Sequence, residues 1–79
     1  MRVCIRLLST YRKYLPPDAQ GASYSLEVPA AIRIEELRTQ LPVPSDKDQV
    51  VLINGRTPVP GQLLEEGDTI AIFPSMAGG

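Results

Sequence analysis

Proline placement narrows what this chain can fold into more than any other feature. Proline has no backbone N–H and a fixed φ, so it stops helices and is kept out of inner strands. Pro16-Pro17, Pro29, Pro42, Pro44, Pro58 and Pro74 fall at the borders of stretches that have a clear hydrophobic period. A single long helix or a long uninterrupted strand is therefore excluded. The fold must be assembled from short strands and one short helix, packed by contacts distant in sequence.

The stretches between the prolines have readable periods. Arg2-Val3-Cys4-Ile5-Arg6-Leu7 alternates, with Val3, Ile5 and Leu7 on one face and Arg2, Cys4 and Arg6 on the other. That is a half-buried strand. Ser9 to Gly21 reads as a short helical turn plus a loop, with Tyr11 and Tyr14 anchoring it and Arg12 and Lys13 in solvent. Ser23 to Val28 alternates again, placing Tyr24, Leu26 and Val28 toward the core in a strand that forms a hairpin with the first. Ile34, Leu37 and Leu41 stand at i, i+3 and i+7, an apolar stripe on a helix that lacks an N-cap residue and is stopped by Pro42.

Gln49-Val50-Val51-Leu52-Ile53 is a continuous apolar run, a third strand. Asn54-Gly55 follows it and is a strong hairpin signal, because both central residues of a type I′ turn need positive φ. Arg56 to Val59 then reads as a short fourth strand, confined to an edge by Pro58. Leu63 and Leu64 tuck under, Gly67-Asp68 turns the chain, and Thr69 to Phe73 forms a fifth strand. The fold class is α+β, a mixed sheet of about five strands over one main helix. Val3, Ile5, Leu7, Leu26, Val28, Ile34, Leu37, Leu41, Leu52, Ile70 and Ile72 are its expected core.

Composition removes several function classes. With 79 residues the chain makes one small domain, and 43% hydrophobic with 22% charged residues fits a globule. No apolar run is long enough for a membrane helix, and Arg2 and Arg6 break any signal-peptide pattern, so no membrane is expected and a cytoplasmic location is. One cysteine excludes an internal disulfide. With no histidine, the commonest general base and metal ligand are missing, so neither a metal site nor catalysis of its own is expected. The net charge of −1 offers no general surface for nucleic acid. Its distribution is uneven: Arg2, Arg6, Arg12 and Lys13 crowd the start, and Glu65, Glu66 and Asp68 crowd the end. These are solvated faces first and a means of steering a partner second.

What remains is the end of the sequence. Pro74 marks where strand becomes tail, dividing the chain into a domain over 1–73 and a flexible diglycine tail over 74–79. Gly78-Gly79 is the thinnest peptide available and suits a narrow channel. From Pro74 onward the tail spans at most about 20 Å. The group it presents is the α-carboxylate of Gly79, which is ionised and unreactive toward nucleophiles at neutral pH. It becomes an acyl donor only after activation, most simply as an acyl-adenylate made by a partner.

The element order, with Asn54-Gly55 and Gly67-Asp68 ahead of Thr69-Ile70-Ala71-Ile72-Phe73-Pro74-Ser75-Met76-Ala77-Gly78-Gly79, resembles the β-grasp, ubiquitin-like sulfur carriers. The chain looks most like the molybdopterin synthase small subunit, in which Phe73, Pro74, Ala77, Gly78 and Gly79 have counterparts. Ser75 and Met76 depart from that pattern, and Ala77 stands where thiamine-biosynthesis carriers more often have Gln. The resemblance implies a ubiquitin-activating-type enzyme that adenylates Gly79 with ATP and magnesium. A sulfur donor then displaces AMP to leave a thiocarboxylate, which is handed to the molybdopterin synthase large subunit or an equivalent acceptor. No cofactor is expected on the carrier itself. A protein-conjugating modifier would use the same tail.

The expected docking face follows from the pleat. If Ile70 and Ile72 point inward, Thr69, Ala71 and Phe73 point outward, on the side shared by Cys4 and Arg6. Phe73 is the only phenylalanine, and two roles stay open for it: interface anchor, or cap on the edge of the core. Cys4 reads as a small apolar filler.

Overall fold

Alternation at the N-terminus becomes structure directly. In a computed structural model, which describes residues 1–44 and 49–75, strand β1 (Arg2–Leu7) buries Val3, Ile5 and Leu7 and exposes Arg2 and Arg6. Strand β2 (Ser23–Glu27) pairs with it antiparallel, setting Leu26 opposite Val3 and Tyr24 opposite Ile5. Between them runs a 3-10 turn, Ser9–Tyr14. Tyr11 of that turn is buried, and the Tyr14 ring meets it edge-on at 6.1 Å between centroids.

The helix is shorter than its apolar stripe. Helix α1 spans Ile34–Arg38, and the next bonds tighten to i→i−3: the Gln40 N–H reaches the Leu37 carbonyl at 2.9 Å and the Leu41 N–H the Arg38 carbonyl at 3.4 Å. The chain is narrowing into a turn ahead of Pro42, whose ring disfavours helical geometry at Leu41. Leu41 is nevertheless buried with Ile34 and Leu37. The missing N-cap side chain is replaced from elsewhere. The Glu36 carboxylate accepts the Arg33 N–H at 3.0 Å, and the Ile34 N–H donates to the Gln62 carbonyl at 2.9 Å. The Glu35 carboxylate accepts the Gly61 N–H at 2.8 Å, and that bond holds its pKa below the ordinary range.

Strand β3 (Gln49–Ile53) pairs antiparallel with strand β4 (Thr69–Pro74), and β4 lies parallel to β1, giving the order β2-β1-β4-β3. The central parallel pair flanked by two antiparallel strands, with α1 contributing Ile34 and Leu37 to the core, is a β-grasp arrangement. It has four strands among the described residues where the sequence predicts five. Asn54 (φ 52°) and Gly55 (φ 82°) do form the tight turn, closed by Ile53 N–H to Arg56 carbonyl (2.8 Å) and Arg56 N–H to Ile53 carbonyl (3.0 Å). Past that one bridge the ladder stops, so Arg56 to Val59 is not a strand. Pro58 has no N–H to continue it.

The core differs from expectation at one strand. Ile53 stands opposite Ile70 and Val51 opposite Ile72, whereas Leu52 faces Ala71 and Val50 faces Phe73. Leu52, expected inside, is therefore half-buried on the other face, and Ile53 takes its place in the core. A continuous apolar run hides its own phase, and the partner strand chooses the phase that puts isoleucine against isoleucine. Ile32, Val43 and Leu64, all outside regular elements, join the core, while Leu63 stays 49% exposed. Leu26 packs against the core but is only partly buried.

The register makes a paired expectation. Ile53→Ala removes a side chain that is 4% exposed and should cost about 2–5 kcal/mol in chemical denaturation. Leu52→Ala should cost less than Ile53→Ala, since Leu52 is only half-buried and lies outside the core cluster.

Candidate functional site

The end of β4 is placed by what happens at its beginning. Gly67 adopts φ 85° and sends its N–H to the Arg2 carbonyl at 2.9 Å. The Cys4 N–H donates to the Asp68 carbonyl at 2.9 Å. The Asn54 side chain completes the junction: its amide donates to Asp68 Oδ1 and its Oδ1 accepts the Thr69 N–H, both at 2.9 Å. Asp68 Oδ2 in turn accepts the Glu65 N–H at 2.8 Å. Asn54 thus ties the β3 hairpin to the first residue of β4, while Gly67 and Asp68 tie that same residue to β1. Every later position of β4 inherits its register from this point.

Pro74 is the last residue of β4, opposite Gln49, rather than the first of the tail. A strand sends its N–H groups alternately to its two neighbours. The Leu8 N–H to Ile72 carbonyl bond (3.0 Å) shows that Ile72 faces the β1 side. Two residues on, Pro74 faces the same side, where β1 has already ended at Leu7. A missing N–H is tolerated there.

With the register set, the sheet face opposite the core gathers the expected residues. Arg6 stands beside Ala71, Cys4 beside Thr69 and Phe73 beside Val50. Cys4, Ala71 and Phe73 are half-buried and Arg6 is exposed. Phe73 is not part of the core cluster, so of its two readings the structure places it on the open face. Val50 and Leu52 join this face and widen the apolar strip around Ala71 and Phe73. The sequence reading missed both, and counting back in twos from the Asn54–Thr69 junction would have found them. Beside Cys4, a groove of about 500 Å³ is lined by Asp18, Gln20, Ser23, Tyr24 and Ser25, where burial raises the Tyr24 hydroxyl pKa.

Ser75 is half-buried. Met76, Ala77, Gly78 and Gly79, the remaining residues expected to form the tail, lie outside the described residues, as does the expectation that this segment is flexible. Among the described residues no group of three or more His, Cys, Asp or Glu side chains could hold a metal ion. No helix among them is long and apolar enough to cross a membrane.

The sequence matches the ThiS family model over residues 10–79. The chain belongs to the ThiS family. That match runs through β4 and on to Gly79. No curated protein matches the sequence. The crystal structure of SAMP1 from Haloferax volcanii is similar over 100% of both chains, with a TM-score of 0.72 at 18% identity, which shows a shared fold. This ThiS-family chain is thus a small protein with a ubiquitin-like fold, and its family implies activating enzymes as partners in general.

The Asn54 junction carries its own expectation. Asn54→Gly keeps the positive φ accessible but deletes two hydrogen bonds, and should lower unfolding free energy by about 1–2 kcal/mol. Amide exchange should show the protection loss concentrated at Thr69 and the Gly67-Asp68 turn.

Proposed function

We propose that this ThiS-family protein is a sulfur carrier in molybdopterin biosynthesis, with Gly79 as the group that is activated and loaded. The supporting observation is the ladder that anchors the strand feeding the tail. β4 occupies the middle of the sheet, is bonded on both sides, and ends at Pro74 just ahead of Gly78-Gly79. A rigid domain that releases a thin segment from its central strand suits delivery of one terminal group into a partner's site. Residues 75–79 serve as that segment, with Pro74 as its hinge point. Phe73-Pro74 and Ala77-Gly78-Gly79 favour the molybdopterin branch over the thiamine branch.

In this reading a ubiquitin-activating-type enzyme uses ATP and magnesium to convert the Gly79 carboxylate into an acyl-adenylate, with loss of pyrophosphate. A sulfur donor displaces AMP, and the thiocarboxylate passes to a molybdopterin synthase large subunit or an equivalent acceptor. Binding energy comes from the open face: Phe73, Ala71, Cys4 and Arg6, with Val50 and Leu52, dock the domain while the tail reaches inward. Gly78 acts as the steric gate, because any Cβ there widens the segment.

Two measurements check this. Incubation with an adenylating enzyme, ATP, magnesium and a sulfur donor should yield a product in which one oxygen of the terminus is replaced by sulfur, seen by mass spectrometry. Deleting Gly79 should abolish that product, and a bulky residue at position 78 should block transfer with the fold intact. A ladder of larger protein adducts instead would make the chain a modifier.

The docking face is checked separately. Phe73→Ala should weaken binding to the activating enzyme by about 2 kcal/mol or more in calorimetric titration. The same variant should leave the denaturation midpoint nearly unchanged, because Phe73 lies outside the core. A large stability loss at unchanged affinity would remove Phe73 from the interface.

A further inference from the structure

Charge in this molecule is sorted along its strands. β1 and β4 run parallel and β2 and β3 run back against them, so the sheet has an end where β1 and β4 start and an end where they finish. Acids collect at the starting end. Glu27 stands opposite Arg2 and pairs with it (Nε to Oε1 2.8 Å), Glu66 accepts the Arg2 N–H at 3.1 Å, and Asp68 immediately precedes β4. The capping loop adds Glu65, and α1 begins there with Glu35 and Glu36.

Cations collect at the finishing end. Arg6 lies beside Ala71. The turn that carries exposed Arg12 and Lys13 is joined to β4 through the Leu8 N–H to Ile72 carbonyl bond. Arg38, the last residue of α1, donates to Gln49 Oε1 at 2.7 Å, and Gln49 stands opposite Pro74. Among the described residues the one ion pair is Arg2–Glu27, at the other end.

The balance holds across the described residues. Asp18 belongs with the finishing end, flanking the Cys4 groove, so four cations, Arg6, Arg12, Lys13 and Arg38, face one acid there. The starting end holds Arg2, Arg33 and Arg56 against six acids.

We propose that Arg6, Arg12, Lys13 and Arg38 form a basic rim that docks on an acidic protein surface surrounding the mouth into which residues 75–79 are delivered. This rests on the carrier reading above for what the tail does. The physics is directional. An acidic rim on the partner attracts the finishing end of the domain and repels its acidic starting end, so encounters arrive tail first. An anionic terminus approaching an acidic mouth alone would be repelled, and the rim offsets that repulsion. Nucleic acid fits less well, because the cations are few and the remainder of the molecule is acidic.

The rim is tested on the full chain with an eight-residue polyglutamate peptide, following amide shifts by NMR. Shifts should concentrate at Arg6, residues 8–14 and Phe73. They should vanish in about 1 M salt, where the screening length falls to about 3 Å. Arg6→Glu/Arg12→Glu/Lys13→Glu should abolish them, and Glu65→Lys/Glu66→Lys should not. Against an enzyme that adenylates the native chain, the triple reversal should slow association about tenfold or more. Thermal melting confirms that the exposed substitutions leave the fold intact.

Absent shifts, shifts spread over the acidic end, or tighter binding of a single-stranded DNA octamer would overturn the proposal. So would an association rate indifferent to both salt and reversal. Should no enzyme adenylate the chain, the carrier reading fails, and the peptide titration still decides the rim.

Discussion

β1 and β4 lie side by side and parallel at the centre of the sheet, although Arg6 and Ala71 come from opposite ends of the chain. No local contact can make that pairing, and the entropy of closing so long a loop must be met by what the closure brings together. Ile5, Leu7, Ile70 and Ile72 supply it, since all four side chains are fully buried between sheet and helix. The hydrogen bonds at Gly67, Asp68 and Asn54 contribute less energy but more precision, because a slip by one residue would turn Ile70 and Ile72 outward and Ala71 inward. The same pairing that makes the core therefore decides which residues are left on the open face and where β4 ends.

A domain this small has little core to spare, and its economy shows in how loops are used. Ile32, Val43 and Leu64 fill the core from outside any regular element, and the 61–64 loop caps a helix that has no cap residue of its own. The helix packs on one face of the sheet, and among the described residues no helix or strand packs on the other. In a purely structural protein that face would be a weakness. Here it carries an apolar strip of Val50, Leu52, Ala71 and Phe73 next to Arg6, toward the end of β4. Strip and cationic end meet there, so one surface can supply both contact area and orientation.

Much of this was legible in the residues. Period two in Arg2–Leu7 and in Thr69–Phe73 named the inward residues of both central strands, and Asn54-Gly55 named the turn. Phe73-Pro74 with Ala77-Gly78-Gly79 pointed to the ubiquitin-like carriers, and the ThiS family match agrees at that level. Three features were not legible locally. Val50–Ile53 is apolar throughout and has no phase of its own, so it cannot say that Ile53 rather than Leu52 faces inward. A hairpin turn implies a returning strand, whereas here the chain leaves after one bridge. An apolar stripe marks burial, and at Leu41 burial continues after helical bonding has ended.

The sequence by itself determined the class of fold, the inward faces of its alternating strands, the turn at Asn54-Gly55 and the chemistry available at the diglycine. These depend on local geometry: φ restrictions at Gly and Pro, and the alternation of a pleated strand. Only the tertiary structure decided that β4 enters between β1 and β3, that Ile53 rather than Leu52 faces inward, and that Arg38 shares an end of the molecule with Arg6, Arg12 and Lys13. Each of those is a relation between segments far apart in the chain. Such relations are chosen by the joint packing of all the short elements, and no one of them carries that choice in its own residues.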